Sequence, residues 1–193
     1  KQVEFMPGEP RALFVKNENY WKPGSPKVDA VELRSITEAT ARTAALLAGQ
    51  IDISMEVDAA ALPQLEASPD VAVVEARTPY VVNMAMWCDT PPFDDVRVRQ
   101  AMKLVMDREA IVQTVLLGHG SVANDHPVAP WVEYAWDVEP KKQDIEKAKQ
   151  LLAEAGQPNL KVELFTAEAS PGMVLLAQVY KEMAALAGIE VTI

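Results

Sequence analysis

Several residue types that would mark a specialised protein are scarce in this sequence. Among its 193 residues there is one cysteine, Cys88, so no disulfide can form within the chain. There are two histidines, His119 and His126, and their spacing matches no common zinc-ligand pattern. No apolar run reaches the roughly 18 residues that a membrane-spanning helix needs. These shortages argue against a small disulfide-stapled domain, a zinc site and a membrane-spanning helix within this sequence.

Positive charge is scarce as well. The 18 Lys and Arg residues stand against 28 Asp and Glu residues, which gives a formal net charge of −10. A nucleic-acid surface needs clustered cations to neutralise phosphates, and anionic lipid attracts the same groups. We therefore expect neither nucleic acid nor a lipid surface as a direct partner. Apolar residues make up 49% of the chain, which is enough for a sizeable core.

Familiar catalytic motifs are also missing. The sequence has no glycine-rich nucleotide-binding motif, no H-E-x-x-H, no C-x-x-C and no G-x-S-x-G elbow. Many enzymes lack these patterns, so a hydrolase-like enzyme that uses His126 and Asp125 as an acid–base pair stays open as an alternative. We expect no resident metal ion or cofactor.

The first half of the chain shows alternating strand and helix patterns. A β-rich run over residues 28–36 leads into a helix for which Thr37 is the predicted N-cap. The alternation over residues 51–55 predicts a strand, and together these elements predict a β-α-β unit with parallel strands. Two further strands are predicted over residues 71–76 and 80–87.

The second half predicts more helix. Asp94 or Asp95, then Asp107 and Asp144, each precede a run of apolar residues at helical spacing, and Asp is a favoured N-cap residue. Residues 162–193 predict a strand, an amphipathic helix and a strand, which is a second β-α-β unit.

Residues 119–142 separate these helices and show no periodicity. A structureless stretch of this length in a compact domain is usually functional. Asn124, Asp125 and His126 can hydrogen-bond a ligand or form an Asx-type turn, and both interpretations stay open. Trp131 lies near proline-rich breaks and is the better candidate for a binding wall than the other tryptophans.

One stretch carries a resemblance to a known family. Residues 91–101, PPFDDVRVRQA, closely resemble the signature of the family 5 extracellular solute-binding proteins. These are the peptide, dipeptide and nickel receptors of bacterial ABC importers. Four further segments are similar to family motifs, and they lie at residues 17–21, 40–52, 106–112 and 146–156. Five matches in order are far more specific than any one of them.

The resemblance implies an α/β fold of the type II periplasmic-binding-protein kind. That fold has two lobes, each with a mixed sheet flanked by helices, and it is expected to be incomplete in this chain. Residues 1–88 then belong to lobe I and residues 89–193 begin lobe II, with the crossover near residues 86–95. Both ends of the sequence interrupt strand-like runs, so we expect a central piece of a longer protein.

The resemblance also implies a receptor and not an enzyme. Such a receptor captures a peptide or a related small solute in a cleft between its lobes and delivers it to an ABC transporter permease. We expect a periplasmic or other extracytoplasmic monomer. It would meet the membrane only through the permease or through an N-terminal anchor, such as a lipid, outside this sequence. A non-binding scaffold that kept the fold stays open as a further alternative.

Candidate ligand contacts lie in three places. The loop after the second predicted strand and the strand before Pro91 both face the cleft in such proteins, and the irregular segment corresponds to another cleft loop. Period-2 alternation places Thr78 and Tyr80 on one strand face and Asn83 on the other. The candidates are Met55, Glu56, Thr78, Tyr80, Asn83, Asn124, Asp125, His126 and Trp131.

Overall fold

The chain forms two compact units, Lys1–Ser54 and Met55–Ile193. The computed structural model describes residues 2–5, 10–78, 81–123, 125–126, 128–129, 131–136, 139 and 141–193. The predicted crossover between lobes, residues 86–95, falls inside the second unit, and the lobe boundaries stay a prediction.

The first unit is an antiparallel meander with one helix. Strands β1 (Gln2–Phe5), β2 (Arg11–Val15) and β3 (Ala30–Arg34) pair in that order. Helix α1 (Ala39–Leu47) follows. The register aligns residues 11–15 with residues 34–30 without a bulge. All five residues of β3 are exposed, so this strand covers little of a core by itself.

The start of α1 differs from the prediction. Glu38 and not Thr37 occupies the N-cap position, and no side chain caps the helix. The Arg42 guanidinium instead donates to the carbonyl oxygens of Ile36 and Thr37, at 2.8 and 2.7 Å. The prediction of a Thr37 cap was therefore wrong. The Arg42 side chain, which belongs to the helix, binds the backbone carbonyls that precede it instead.

Three predicted strands do not form among the described residues. Residues 51–55, 71–76 and 81–87 have no ladder partner, so the first predicted β-α-β unit is wrong for this chain. Residue alternation indicates an extended backbone, but a strand also needs the N–H and C=O groups of a neighbour. Without that neighbour, apolar residues stay at the surface, and Ile53 and Met55 are 78% and 91% exposed.

The second unit is mainly helical. Strands β4 (Lys161–Glu163) and β5 (Glu190–Thr192) are parallel, and helix α6 (Met173–Ala185) lies between them in sequence, which confirms the second predicted β-α-β unit. After a 3-10 turn at Ala59–Ala61, its elements are α2 (Leu62–Glu66), α3 (Val96–Leu104), α4 (Arg108–Val115), α5 (Ile145–Glu154), β4 (Lys161–Glu163), α6 (Met173–Ala185) and β5 (Glu190–Thr192).

The three predicted aspartate caps are present. Asp95, Asp107 and Asp144 each accept a hydrogen bond from a backbone N–H in the first turn, at 2.8, 2.9 and 2.8 Å. These bonds satisfy donors that have no partner within the helix. Helices α3, α4 and α5 therefore begin where the sequence predicted.

Asp95 has a second partner. The Arg97 guanidinium lies against its carboxylate, with Nη2 2.6 Å from Oδ2. The Arg97 side chain and then its backbone N–H hold the pKa of Asp95 at about 2, below the usual 3.8. Arg97 also donates from Nη1 to the carbonyl of Glu154 at 2.7 Å, which links the start of α3 to the end of α5.

One core cluster of buried residues joins α3, α5, α6 and β5 in the second unit. Tyr180 of α6 is part of it, and its hydroxyl donates to the carbonyl of Met102 at 3.1 Å. Burial raises the pKa of Tyr180. The buried members are Val98, Ala101, Met102, Val105, Ala148, Leu151, Leu152, Leu160, Tyr180, Ala184, Ala187, Ile189 and Val191.

Tyr180→Phe tests the buried hydrogen bond. We expect a loss of about 1 kcal/mol in the free energy of unfolding, because the ring still packs and only the hydroxyl contact is lost. Urea unfolding followed by circular dichroism measures it. Tyr134→Phe is the matched control, since Tyr134 is 78% exposed. Equal stability of the two variants would contradict the assignment.

Asp95→Asn tests the ion pair at the start of α3. Asn also caps helices, so this change removes the charge and keeps the cap. Folding lowers the pKa of Asp95 from 3.8 to about 2. The charged carboxylate therefore stabilises the fold fully at a pH above 3.8, and this stabilisation is lost as the pH falls towards 2. We expect the wild type to have a higher free energy of unfolding than the variant, and we expect this difference to be smaller at about pH 3 than at about pH 5. Asp70→Asn, at an exposed carboxylate without a described partner, should show no such trend.

Candidate ligand-binding site

The irregular segment of residues 119–142 is present as predicted. Its described residues form neither helix nor strand. Within it, the backbone N–H of His126 donates to the carbonyl of Ala123 at 2.9 Å and closes a tight turn. Asp125 lies at the third position of this turn with φ of +57°, a left-handed conformation that Asp adopts more readily than most residues.

Three cations surround the Asp125 carboxylate. Arg108 Nη2 lies 2.7 Å from Oδ1, and Lys141 Nζ lies 3.0 Å from Oδ2. Lys103 Nζ is farther away, at 3.9 Å from Oδ2. Arg108 begins α4, Lys103 belongs to α3, and Lys141 precedes α5. These four residues, called the Asp125 cluster below, tie the irregular segment to the two helices that precede it, α3 and α4, and bring its two ends together through Lys141.

The cluster keeps Asp125 ionised. The side chains of Asp125 and Arg108 are only 14% and 9% exposed. Burial by itself raises the pKa of Asp125, but the hydrogen bonds from Arg108 and Lys141 outweigh it and lower that pKa. A carboxylate held by two cations is a poor proton acceptor. This geometry therefore counts against the His126–Asp125 acid–base pair.

His126 is held through one ring nitrogen and one ring face. Its Nδ1 lies 3.1 Å from both the backbone nitrogen and the carbonyl oxygen of Val128. The Trp136 ring packs edge-on at 4.2 Å between centroids and 79° between planes. Nδ1 accepts from the N–H in one protonation form and donates to the carbonyl in another. In both forms Nε2 has no described partner, so it is the nitrogen left for a ligand.

Two side chains of the preceding extended segment contact the irregular one. Glu75 Oε2 lies 3.2 Å from His119 Nδ1. The Arg77 guanidinium carbon lies 5.9 Å from the Trp131 ring centroid, at the limit for a cation–π contact. Glu75 and Arg77 are two residues apart, so they share one side of an extended backbone. Trp131 is 41% exposed, so part of its ring stays open to solvent.

The structure brings three of the predicted contacts into this region. Asp125 and His126 are consecutive, and Trp131 contacts Arg77. Thr78 is exposed and directly follows Arg77. Tyr80 and Asn124 lie outside the described residues, so their predicted roles are not addressed.

The remaining predicted contacts in the described part of the chain are exposed. Met55 and Glu56 are exposed, and Met55 begins the second unit. Asn83 is exposed, whereas Met84 and Met86 pack against the core cluster. No described hydrogen bond or ring contact joins Met55 or Asn83 to the irregular segment. Their assignment to a ligand site stays a prediction.

Sequence reasoning missed most of the residues that build this region. Arg108 and Lys141 are separated from Asp125 by 17 and 16 positions, so no local pattern connects them. A weak signal existed for Glu75 and Arg77, because opposite charges at alternate positions of an extended segment mark one polar face. Trp136 was visible as an aromatic residue in an irregular segment but was ranked below Trp131.

Two features are absent from the described part of the chain. No group of three His, Cys, Asp or Glu side chains there is arranged to hold a metal ion. No helix there has the length and apolar character needed to cross a membrane.

The family model of the bacterial extracellular solute-binding proteins, family 5, middle part, matches residues 1–193. The chain belongs to this family. The family resemblance inferred from five sequence segments is therefore confirmed.

Curated family 5 relatives agree with this assignment. Heme-binding protein A of Haemophilus influenzae is 37% identical over 147 residues, which cover 76% of this chain and 26% of that protein. The glutathione-binding protein GsiB of Escherichia coli (strain K12) is 29% identical over 144 residues, which cover 75% of this chain and 28% of that protein. The chain thus spans about a quarter of the length of these relatives.

Solved family 5 structures share the fold. DppA from Helicobacter pylori, in complex with the peptide STSA, has a TM-score of 0.81 and 25% identity, covering 100% of this chain and 37% of that one. A dipeptide binding protein from Pseudoalteromonas sp. SM9913, in complex with Met-Leu, has a TM-score of 0.81 and 25% identity, covering 99% and 38%. The predicted type II periplasmic-binding-protein fold, incomplete in this chain, is confirmed.

Proposed function

We propose that the whole protein carrying this chain is the extracytoplasmic solute-binding receptor of an ABC importer. The observation that carries the proposal is the family 5 match over all 193 residues. The relatives named above are binding proteins. The cation-bound Asp125 supports the same proposal, because a carboxylate held by two cations is a poor proton acceptor, which counts against the His126–Asp125 acid–base pair.

The proposed solute is a peptide or a related small molecule. Two solved relatives hold peptides, and a curated relative is named for glutathione, itself a tripeptide. Heme is the second candidate. The 37% identity to heme-binding protein A favours it. So does the His126 ring, because a histidine whose Nδ1 can donate to a backbone carbonyl presents Nε2 as a metal ligand.

His126 and Trp131 are the proposed contact residues in the described part of the chain. Both are anchored by neighbours, and Trp131 keeps part of its ring accessible. Aromatic side chains are frequent anchors in binding sites. Met55, Glu56, Thr78, Tyr80, Asn83 and Asn124 remain proposed contacts from the family resemblance.

The setting of the receptor is also proposed. Its permease partner, a monomeric state, and attachment through the permease or an N-terminal anchor follow from the family. The same holds for the assignment of residues 1–88 to lobe I and residues 89–193 to lobe II. A receptor of this kind closes its lobes around the solute, and the permease recognises the closed form.

Calorimetric titration of the whole protein tests the proposal. The probes are glutathione, the dipeptide Met-Leu, the peptide STSA and hemin. We expect one of them to bind, and we expect Trp131→Ala to weaken that binding roughly tenfold, since tenfold corresponds to about 1.4 kcal/mol. Trp87→Ala is the control, because Trp87 is 78% exposed and makes no described contact with this region.

Hemin separates the two candidate solutes. His126→Ala should change the Soret band of bound hemin if Nε2 binds the iron, and should leave the band unchanged if heme binds elsewhere. Failure of the wild type to bind any of the four probes would count against the receptor and favour a non-binding scaffold.

A further inference from the structure

The most enclosed ion pair in the described part of the chain lies next to a proposed contact residue. The Arg108–Asp125 pair leaves 9% and 14% of the two side chains exposed. In comparison, the Lys149–Glu146 pair leaves 48% and 85% exposed. Exposed pairs contribute little to stability, whereas removing one partner of an enclosed pair leaves a desolvated charge. The Asp125 cluster therefore constrains the chain around it.

We propose that Asp125 is a positioning residue, which fixes the His126–Trp136 pair through its ion pairs and does not itself contact the solute. This proposal rests on the proposed receptor function. It replaces the role of direct ligand contact that the family resemblance implied for Asp125. Both carboxylate oxygens are occupied, Oδ1 by Arg108 at 2.7 Å and Oδ2 by Lys141 at 3.0 Å.

The Arg108 guanidinium is itself held in place by backbone carbonyls. Its Nη2 also lies 3.2 Å from the carbonyl of Lys103, and its Nη1 lies 3.4 Å from the carbonyl of Met106. These carbonyls belong to the end of α3 and to the link between α3 and α4. The guanidinium is therefore held by the helical part of the unit, and the carboxylate of Asp125 is bound to it.

The backbone transmits this constraint to His126. Asp125 has a φ of +57° in the turn closed by the His126 N–H and the Ala123 carbonyl. His126 follows directly, and its Nδ1 and ring face are already held by Val128 and Trp136. A shift of Asp125 away from Arg108 therefore rotates the turn and moves the ring pair with it.

Three variants separate charge from backbone geometry. Asp125→Asn keeps a residue that tolerates the left-handed conformation and keeps one acceptor oxygen, but it loses the charge. Arg108→Met removes the other partner and keeps an unbranched side chain. Glu146→Gln is the matched control, because it removes an exposed ion pair on α5.

The first readout needs no solute. The whole protein is labelled with 5-fluorotryptophan, and the fluorine NMR signal of Trp136 is assigned with Trp136→Phe. We expect Asp125→Asn and Arg108→Met to shift the Trp136 signal in the same direction, and Glu146→Gln to leave it unchanged. If the melting temperature falls in both variants while the Trp136 signal stays in place, Asp125 only stabilises the fold and the proposal is wrong.

The second readout is the dissociation constant of whichever of the four probes, glutathione, Met-Leu, STSA or hemin, binds the wild type. We expect Asp125→Asn to weaken binding several-fold together with the shift of the Trp136 signal. Lost binding with an unmoved Trp136 signal would overturn the proposal, because it would make Asp125 a direct contact. If the wild type binds none of the four probes, the proposed receptor function fails, and the fluorine signal still decides whether Asp125 positions the ring pair.

Discussion

The contact between α3 and α5 organises the second unit. Arg97 at the start of α3 donates to the Glu154 carbonyl at the end of α5, at 2.7 Å. At the opposite end, the Asp144 N–H donates to the Leu104 carbonyl at 2.9 Å. The two helices are therefore antiparallel and joined at both ends, with the core cluster between them. Two segments that looked like separate family motifs, residues 91–101 and 146–156, are the two sides of one contact.

This contact also bears on the described residues of the irregular segment. Residues 119–142 connect α4 to α5, so their two ends are fixed by helices that pack into one unit. A connection between fixed ends loses much of its conformational freedom, and the Asp125 cluster removes more by binding Asp125 to α3 and α4. The described His126 and Trp136 rings of the segment thus lie close to residues that are bound to α3 and α4, and such preorganisation favours ligand binding.

The helices of this chain were predictable from sequence, and most strands of its middle part were not. Asp95, Asp107 and Asp144 obey a local rule, in which a short polar side chain accepts from the first turn that follows it. Strand formation over residues 51–55 depends on a neighbour that local sequence does not specify. The site divides in the same way. His126 and Asp125 stood out locally as polar residues without periodicity, but the cations that bind Asp125 come from segments distant in sequence.

The exposure of β3 has a practical consequence for work with the chain alone. Val31 and Leu33 are 45% and 53% exposed, and among the described residues β3 pairs only with β2. An open strand edge with apolar side chains is a template for pairing with another copy of the same chain. We therefore expect the isolated chain to self-associate increasingly as its concentration rises.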